Sequence, residues 1–584
     1  MFNFTPTTAS IPPANNTLRL KPLPNALPNY QPLSPLAFIL RAALIYPEKI
    51  ALIHTDVPFP VAYNFATWAQ RIQNLAYALI KFGIKPGDSV AILAPNCPMI
   101  ADAHHGVIAA RAIVTPINTR LKPSEVAYIL DHSQAKLLLV DHEYLHLVEG
   151  TTVPMIISKD TGRMDDPYEV FLAEGRYFSK EAGWQGLDTE PDENASAVLC
   201  YTSGTTGRPK GVITSLRGNY LAALANAFEG RMDRHSTYLW ILPMFHAAGW
   251  TFPYANVFSF ATQVTLRTVN YTHIWNHILR SGVTHYCAAP TVQIGIVNDP
   301  QAQQPKQSVT AIIAGAAPTA HLIAELEKKG IKPVHFPSAI RETYGPFTRN
   351  YEQESWGPLS LDDRARLMAR QGHAFATAEE VRVVYQQENE SDPLQDVPRD
   401  GKTMGEIITR GNIVMKEYFR DPDATRKAFA GGSFHSGDLA VMHADGSVAI
   451  MDRSKDIIIS GGEVRLYPNL AGSTLTYPES MQNASSLAIE QELVTHPHVL
   501  EASVVARPHV KWGERPMAFV VLHPQHAASW HGRHQTFASE LKAHAKTRLP
   551  GFACPEWVEV VPELPKTSTG KILKTELRKI VAKL

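Results

Sequence analysis

The sequence predicts an α/β fold with a large N-terminal domain and a small α+β C-terminal domain. Helical and strand patterns alternate from about residue 36 onward, which is typical of a domain with a substantially parallel sheet. The chain has 584 residues, whereas a single core stops growing at about 250–300 residues. At least two domains are therefore expected, and a change of pattern near 452–456 places the boundary between them.

The elements of the large part can be predicted in order. Residues 1–35 are rich in Pro, Asn and Thr and predict an irregular leader. Apolar residues at helical spacing predict a helix over Ala66–Phe82, and short apolar runs predict strands over Ser89–Leu93 and Leu137–Val140. Further strands are predicted over 198–202, 237–242, 262–266 and 309–314.

The pattern changes after the predicted strand Ser447–Met451. Strands at 502–506 and 517–522 and an amphipathic helix at about 535–548 follow, and together they predict the small α+β domain.

Composition excludes several classes of protein. The chain is 45% hydrophobic and 19% charged, and its formal net charge is +0. No basic field is available to attract nucleic acid, and no apolar run reaches the roughly 20 residues that a membrane span needs. We therefore expect no nucleic-acid partner and no transmembrane segment.

Cysteine usage and the termini predict a reducing compartment. Cys97, Cys200, Cys287 and Cys554 are scattered, which disfavours a disulfide framework and a CxxC metal site. The first residues lack the pattern of a signal peptide. The final tripeptide Ala582–Leu584 resembles the Ser-Lys-Leu peroxisomal address. We expect a peroxisomal, otherwise cytoplasmic, protein that an import receptor binds through this tripeptide.

The strongest motif is Tyr201-Thr-Ser-Gly-Thr-Thr-Gly-Arg-Pro-Lys-Gly-Val212, which leaves the apolar run Ala197–Cys200. Hydroxyls alternate with glycines and Lys210 adds a cation, so the loop suits an anion-binding concavity of backbone N–H groups. A flexible linker rarely lies between ordered segments. A Walker A loop fails because Pro209 occupies its second glycine position.

This loop resembles the phosphate-binding signature of the adenylate-forming superfamily, and the resemblance extends over about 34–580. It is nearest to stand-alone acyl-CoA synthetases of the plant and fungal peroxisomal type. The resemblance implies stacked α/β subdomains in an N-terminal AMP-binding domain over 36–452, a hinge over 453–455, and a mobile C-terminal lid over 456–584.

Further segments carry the resemblance in family order. The segment Leu242–Trp250 resembles the lining of the acyl pocket, Ala314–Pro318 the adenine loop, and His435–Asp438 the ribose segment. Asp452–Asp456 resembles the hinge segment, and Pro565–Lys571 the C-terminal catalytic loop.

The resemblance implies a role for particular residues. The implied catalytic residues are Lys571, Glu342 and His246. The implied nucleotide-binding residues are Thr202, Ser203, Gly204, Thr205, Thr206, Gly207, Lys210, Gly315, Ala316, Ala317, Asp438 and Arg453. Lys455 is the implied pivot, and Thr202 and Glu342 are the implied Mg²⁺ ligands.

These roles imply an acyl-CoA ligase that uses ATP, Mg²⁺ and coenzyme A. The carboxylate of the acid attacks the α-phosphorus of ATP and pyrophosphate leaves; coenzyme A then attacks the acyl-adenylate and AMP leaves. Positioning and electrostatic stabilisation carry such phosphoryl chemistry. The implied acyl pocket contains His246, Ala247, Trp250, Ala289, Pro290 and Gly315. By analogy, the acid is a short-to-medium, branched or aromatic one in fatty-acid or fungal secondary metabolism.

Two departures from the family pattern stand out. The family carries Tyr-Gly-x-Thr-Glu before Thr-Tyr-Gly-Pro, and its Tyr stacks on adenine. One alignment, anchored on Thr343–Pro346, places Glu342 on the family Glu and Ser338–Arg341 on Tyr-Gly-x-Thr. A second alignment uses Tyr344 and Thr348 and has Arg349 in place of the Glu. We favour the first alignment. In both, adenine stacking or metal binding departs from the family.

The second departure is an insert over 464–482, between Ser460-Gly-Gly-Glu463 and Asn483-Ala-Ser-Ser486. Its ends permit splice-site codons, so we interpret it as a retained in-frame intron, and the altered 336–341 stretch as a misplaced splice boundary. The insert lies where the family forms its pantetheine tunnel.

Other functions compete with the ligase. His142-Glu-Tyr-Leu-His146 matches the zinc-protease motif H-E-x-x-H, but it follows a strand in a domain already accounted for, so we interpret it as coincidence. A luciferase shares the first half-reaction. An aryl-acid CoA ligase and a catalytically impaired nucleotide-binding homologue are the remaining alternatives.

Overall fold

The computed structural model describes residues 4–202, 208–314, 318–336, 339–387, 392–453, 456–460, 482–510, 512–566 and 572–584. Its α-helices are α1 (Leu36–Ile45), α2 (Phe65–Phe82), α3 (Pro98–Ala109), α4 (Pro123–Ser133), α5 (Pro167–Ser179), α6 (Leu216–Glu229), α7 (Phe252–Phe258), α8 (Tyr271–Arg280), α9 (Pro290–Asn298), α10 (Ala320–Lys328), α11 (Leu361–Met368), α12 (Pro422–Ala428), α13 (Ser486–Leu493), α14 (Pro524–Trp530), α15 (His534–Lys546) and α16 (Lys574–Val581).

Strands up to the middle of the chain build its parallel sheets. They are β1 (Ile50–His54), β2 (Val61–Asn64), β3 (Ser89–Leu93), β4 (Ile113–Pro116), β5 (Leu137–Asp141), β6 (Met155–Ser158), β7 (Ser196–Tyr201), β8 (Gly211–Ser215), β9 (Thr237–Trp240), β10 (Thr262–Thr265), β11 (His285–Ala288), β12 (Val309–Ala314) and β13 (Ile331–Phe336).

Mainly antiparallel strands follow. They are β14 (Ala339–Ile340), β15 (Gly345–Pro346), β16 (Thr348–Arg349), β17 (His373–Ala374), β18 (Glu380–Val384), β19 (Met404–Arg410), β20 (Glu417–Tyr418), β21 (Phe434–Met442), β22 (Val448–Arg453), β23 (Ile458–Ser460), β24 (Gln482–Ala484), β25 (Val499–His509), β26 (Gly513–Leu522) and β27 (Trp557–Val560).

Two seven-stranded sheets form the large part of the molecule. One has the order β13-β12-β11-β9-β10-β1-β2 and is parallel except between β1 and β2. The other has the order β20-β8-β7-β4-β3-β5-β6 and is parallel from β7 to β6. The predicted α/β fold with a large N-terminal and a small C-terminal part is confirmed.

Helix α2 shows why the sequence folds as it does here. The Asn64 side chain accepts a hydrogen bond from the Thr67 N–H at 2.8 Å, which caps the first turn. The helix ends at Gly83, whose φ of 106° is a conformation that favours glycine. The prediction of Ala66–Phe82 misses the helix by a single residue at its start.

A buried ion cluster joins α2 to its neighbours α3 and α5. Arg71 is 1% exposed and donates to Asp102 Oδ2 at 3.1 Å through Nε and 2.9 Å through Nη2. Its other terminal nitrogen lies 2.8 Å from Glu169 Oε1. Ser10, from the leader, is also buried at this cluster and accepts from Arg71 at 3.4 Å. Arg71 thereby ties three helices and the leader together.

A second cluster joins the two seven-stranded sheets. Arg267, just after β10, contacts Asp141 at the end of β5 at 2.8 Å and Asp160 after β6 at 2.6 Å. His54 in β1 contacts the same Asp160 carboxylate at 2.8 Å. Burial opposes ionisation of Asp160, but His54 and Arg267 outweigh it and lower its pKa.

An antiparallel sheet, β18-β19-β21-β22, leads into the small C-terminal part, where β23–β26 form a second sheet with β27 beside β26. The predicted strands at 502–506 and 517–522 fall within β25 and β26, and the predicted helix corresponds to α15. Asp452 in β22 accepts from the Ser486 N–H at 2.7 Å and from its Oγ at 2.6 Å. These two bonds connect the parts on either side of 453–455.

Within the described residues, no helix is both long enough and apolar enough to cross a bilayer. The H-E-x-x-H stretch forms a 3₁₀-helix, His142–Leu147, rather than the α-helix that the zinc motif requires. Glu143 pairs with Arg267 at 2.9 Å. This geometry agrees with the interpretation of the motif as coincidence.

Candidate active site

The phosphate-binding motif begins and ends on a closed pair of strands. β7 and β8 are antiparallel, with Tyr201 opposite Gly211. Beyond this pair, Thr202 N–H donates to the Lys210 carbonyl at 2.8 Å, and Lys210 N–H donates to Thr202 Oγ1 at 3.1 Å. The two bonds hold the ends of the loop side by side. Its centre, Ser203, Gly204, Thr205, Thr206 and Gly207, lies outside the described residues.

Lys210 and Glu342 both contact Tyr418, a residue that no sequence motif predicted. Strand β20 pairs with β8, placing Tyr418 opposite Val212. The Lys210 Nζ lies 4.7 Å from the centroid of the Tyr418 ring, and the Tyr418 hydroxyl donates to Glu342 Oε1 at 2.9 Å. Burial, together with the Glu342 charge, raises the pKa of Tyr418. Tyr418 therefore stays a donor and links the loop to the predicted metal ligand.

Thr202 and Glu342 offer oxygen atoms of the kind that Mg²⁺ accepts. The Thr202 hydroxyl uses one lone pair for the Lys210 N–H and keeps a second. One Glu342 oxygen accepts from Tyr418. Among the described residues, no group of three or more His, Cys, Asp or Glu could hold a metal alone. This donor set fits an ion that is held largely by phosphate oxygens.

The predicted ribose residues lie opposite each other on two strands. Asp438 in β21 is the register partner of Arg453 in β22. The irregular stretch of β21 before Asp438 is held by Glu406, which accepts from the Gly437 N–H at 2.8 Å and contacts His435 Nδ1 at 2.9 Å. The hydrogen bond with Glu406 raises the pKa of His435. The register therefore places the backbones of these two residues side by side.

Two asparagines brace the predicted acyl-pocket segment. Asn96 Nδ2 donates to the carbonyls of Trp240 and Leu242 at 3.0 and 3.1 Å, and its Oδ1 accepts from Met244 N–H at 2.7 Å. Further along, Asn226 donates to Thr251 Oγ1 at 2.8 Å. The segment therefore leaves β9 along a fixed path.

His246 follows this path and begins a 3₁₀-helix, His246–Thr251. Its side chain is half-buried, and that of Ala247 is buried. Ala289, another predicted pocket residue, precedes α9, which begins at Pro290.

The structure bears on the two alignments of the departing segment. Tyr344 is 3% exposed, and its hydroxyl accepts from the Ser215 N–H at 2.7 Å. A Cβ added to Gly218 would lie 2.1 Å from the same hydroxyl. Arg349 is committed to Glu229 at 2.9 Å. With Tyr344 enclosed in the core, it has no face for an adenine, and this favours the alignment that uses Glu342.

Several predicted residues cannot be placed. Gly315, Ala316, Ala317, Lys455 and Lys571 lie outside the described residues, as does 464–481 of the insert. Arg453 is described only as part of its strand.

The strands at the two ends of the insert are paired. Ile459 in β23 is opposite Asn483 in β24, and Ser460 is opposite Gln482, the last residue of the insert. The additional length thus lies between two strands that are already hydrogen-bonded to each other.

Residues 40–419 match the family described as AMP-binding enzyme, and 488–571 match its C-terminal domain. The chain is 38% identical to the peroxisomal acetate/butyrate–CoA ligase AAE7 of Arabidopsis thaliana, over 95% of this chain and 96% of the relative. It is 36% identical to the peroxisomal trans-cinnamate:CoA ligase of Petunia hybrida, over 96% and 95%. The o-succinylbenzoate CoA synthetase of Bacillus subtilis, solved with its acyl-adenylate intermediate, is 25% identical, with a TM-score of 0.71 over 94% of this chain and 98% of that one.

Proposed function

The chain belongs to the AMP-binding enzyme family and is an AMP-forming acyl-CoA ligase, and we propose that the acid it activates is a short-chain carboxylate. Its relatives include ligases named for acetate and butyrate and, at 34% identity, for 2-methylpropanoate. The braced segment from Trp240 to Thr251 gives the acyl pocket a fixed wall. A fixed wall sets a limit on acyl length, because a packed interior resists additional volume.

The observation that carries the adenylation step is the contact series Lys210, Tyr418 and Glu342. It joins the stem of the phosphate loop to a carboxylate from a distant segment. In our proposal the loop binds the phosphates of ATP, and Thr202 and Glu342 hold Mg²⁺, which neutralises phosphate charge when bound. Asp438 and Arg453 hold the ribose.

The acid's carboxylate oxygen then attacks the α-phosphorus, and the bond to the pyrophosphate oxygen breaks. Lys571 stabilises the charge on the phosphoryl oxygens, because a fixed cation lowers the energy of an anionic transition state. In the second step the thiol of coenzyme A forms the thioester and AMP leaves. Rotation about Lys455 separates the two steps in this proposal.

The test is pyrophosphate release from the purified full chain, with ATP, Mg²⁺ and a panel of acetate, butyrate, 2-methylpropanoate, benzoate and cinnamate. We expect the short aliphatic acids to give the highest kcat/KM, and coenzyme A to convert the adenylate to a thioester. Higher kcat/KM for benzoate or cinnamate would instead support the aryl-acid ligase. ATP binding without pyrophosphate release would support the impaired homologue, given the departures at Ser338–Arg341.

A deletion variant tests the proposed effect of the insert on thioester formation. Removal of 464–482 would join Ile459 and Asn483 through Ser460–Glu463, a hairpin loop of common length. We expect the shortened chain to fold and to form thioester faster, with little change in adenylation. Equal thioester rates with and without the insert would refute its proposed effect on the tunnel. Codons 464–482 in the mature transcript would refute the retained intron.

We also propose that Ala582–Leu584 directs the chain to peroxisomes, where its product enters fatty-acid or secondary metabolism. The tripeptide is exposed, as recognition by an import receptor requires. A fluorescent protein fused to the N-terminus should colocalise with peroxisomes and become cytosolic when the tripeptide is removed. Unchanged import after removal would contradict this proposal.

A further inference from the structure

One face of α4 lies against both ends of the phosphate-binding loop. The Tyr128 hydroxyl donates to the Pro209 carbonyl at 3.2 Å. The Arg208 guanidinium carbon lies 5.5 Å from the centroid of the same ring, within the range of a cation–π interaction. Tyr128 therefore contacts the chain where it returns from the loop.

One helical turn later, His132 contacts the chain where it enters the loop. His132 Nδ1 lies 2.8 Å from the Tyr201 hydroxyl, and the two rings meet edge to face at 5.7 Å. Phe419, next to Tyr418, also packs against His132, with the ring centroids 5.7 Å apart. Positions four apart share a helix face, so Tyr128 and His132 hold the two stems from a single surface.

Helix α4 is a rigid support for this face. Its first turn is closed by the Glu125 side chain, which accepts from the Lys122 N–H at 2.8 Å. Val126, Ile129 and Leu130 are buried against the β3–β5 region of the sheet. The support is therefore part of the core, whereas the loop stems are partly exposed.

We propose that Tyr128 and His132 are positioning residues that fix the entry and exit stems of the phosphate-binding loop, and thereby set the affinity for ATP. Neither residue belongs to the motif, and neither lies in the acyl-pocket segment. The inference rests on the proposed function, because it takes the loop to be the ATP phosphate site. It assigns a role to a helix that the site does not otherwise use.

The mechanism is a matter of preorganisation. Thr202 and Lys210 hold the stems to each other. Contacts from α4 to Tyr201 and Pro209 hold the two stems against the core as well. A loop that is already fixed loses less conformational freedom when phosphate binds, so affinity rises without a new contact to the ligand.

The test compares variants that remove one contact each. Tyr128→Phe removes only the hydroxyl, and His132→Leu removes the ring nitrogens. His132→Asn keeps a polar group near the Nδ1 position. Tyr177→Phe is a matched control, because Tyr177 is 86% exposed on α5. KM for ATP, KM for the acid and kcat are measured separately, with the Kd for a non-hydrolysable ATP analogue and the midpoint of thermal unfolding.

We expect Tyr128→Phe and His132→Leu to raise KM and Kd for the nucleotide about 3- to 10-fold, as expected for loss of one hydrogen bond. KM for the acid and the unfolding midpoint should stay near wild type, and His132→Asn should recover most of the affinity. Nucleotide affinity within twofold of wild type in both variants would overturn the inference. So would a parallel rise of both KM values with a lower unfolding midpoint.

The Kd separates this inference from the proposed function. A wild-type chain that binds the analogue but activates no acid would contradict the proposed function, while the Kd values would still decide the role of Tyr128 and His132. A wild-type chain that does not bind the analogue would overturn both.

Discussion

Arg71, which is buried, and Lys574, which is half-buried, stabilise the molecule in different ways. Arg71 is held by Asp102 and Glu169, all at most 3% exposed by side chain. Lys574 in α16 lies 2.9 Å from Glu490 in α13, with exposures of 17% and 14%. Arginine presents a fixed fork of donors that two carboxylates can fill, whereas lysine is a point charge on a flexible stem.

The two cations also differ in which parts of the molecule they connect. Arg71 joins helices that all belong to the large part of the molecule. Lys574 also donates to Ser486 Oγ, which itself donates to Asp452 across 453–455. Burial lowers the pKa of Lys574, but Glu490 and Asp452 outweigh it and raise the pKa above its ordinary value. The arginine cluster therefore lies inside one part of the molecule, while the lysine cluster lies where two parts meet.

The largest expected effect comes from Arg71→Met. Removal of the guanidinium leaves Asp102 and Glu169 buried without their cation, which costs about 3–5 kcal/mol. Urea denaturation should show this as a lower free energy of unfolding. Lys81→Met is the matched control on α2, because Lys81 and its partner Glu174 are 41% and 49% exposed, and it should change stability by less than about 1 kcal/mol. Similar values for both variants would contradict the special role of the buried cluster.

Lys574→Met should have a smaller effect, about 2–3 kcal/mol, since its partners are less deeply buried. Burial raises the pKa of Glu490, and loss of the lysine should raise it further. The folded state then gains stability as the pH falls and Glu490 takes up a proton. The loss should therefore be smaller at pH 5 than at pH 8, as measured by hydrogen exchange in α13. Lys579→Met on the same helix, 69% exposed, should show no such pH dependence.

Asp452→Asn should loosen the connection between the two parts. The amide can still accept from Ser486, but loss of the charge weakens both hydrogen bonds by roughly half, or about 1 kcal/mol. Trypsin should cleave after Arg453 and Lys455 about 3- to 10-fold faster than in the wild type, by the corresponding population of opened chains. Asp445→Asn, in an exposed turn, serves as the control. Unchanged cleavage would mean that other contacts fix the two parts.

The smallest effect concerns His435, a half-buried histidine that pairs with the carboxylate of Glu406. Its pKa is raised by Glu406, so its stabilising contribution is complete below its unfolded pKa of about 6.5. That contribution is lost as the pH rises through the folded value. The difference in unfolding free energy between wild type and His435→Gln should therefore shrink from pH 6 to pH 9, by less than about 1 kcal/mol. A difference that grows with pH would reverse the sign assigned to this pair.

The sequence predicted those features whose signal is local. Strand Ser89–Leu93 agrees with β3 at both ends, and the Thr202–Lys210 motif lies between β7 and β8 as its flanking apolar runs indicated. Glu342 was predicted as a site residue because it directly precedes Thr343. In the structure, Tyr418 contacts both Glu342 and Lys210. Each of these depended on spacing within a short stretch of chain.

The supporting residues could not be found in this way. Tyr418 is 76 positions from Glu342, Asn96 is 148 from Met244, and His132 is 69 from Tyr201. A half-buried tyrosine in a strand has the same local pattern whether it packs in a core or donates to a carboxylate of the predicted site. Only the fold reveals these partners, because strand pairing and helix packing determine which distant segments meet. The burial of Tyr344, which separates the two alignments, is equally invisible in the local sequence.

The pairing of Ser460 with Gln482 has an evolutionary consequence. Because the sheet closes before the intervening segment begins, the gene can gain or lose whole codons there without shifting the register of β23 and β24. Closing a longer loop costs only about 0.6 kcal/mol for each doubling of its length. This hairpin is therefore a permissive site, where the chain can vary in length without a change in the pairing of β23 with β24.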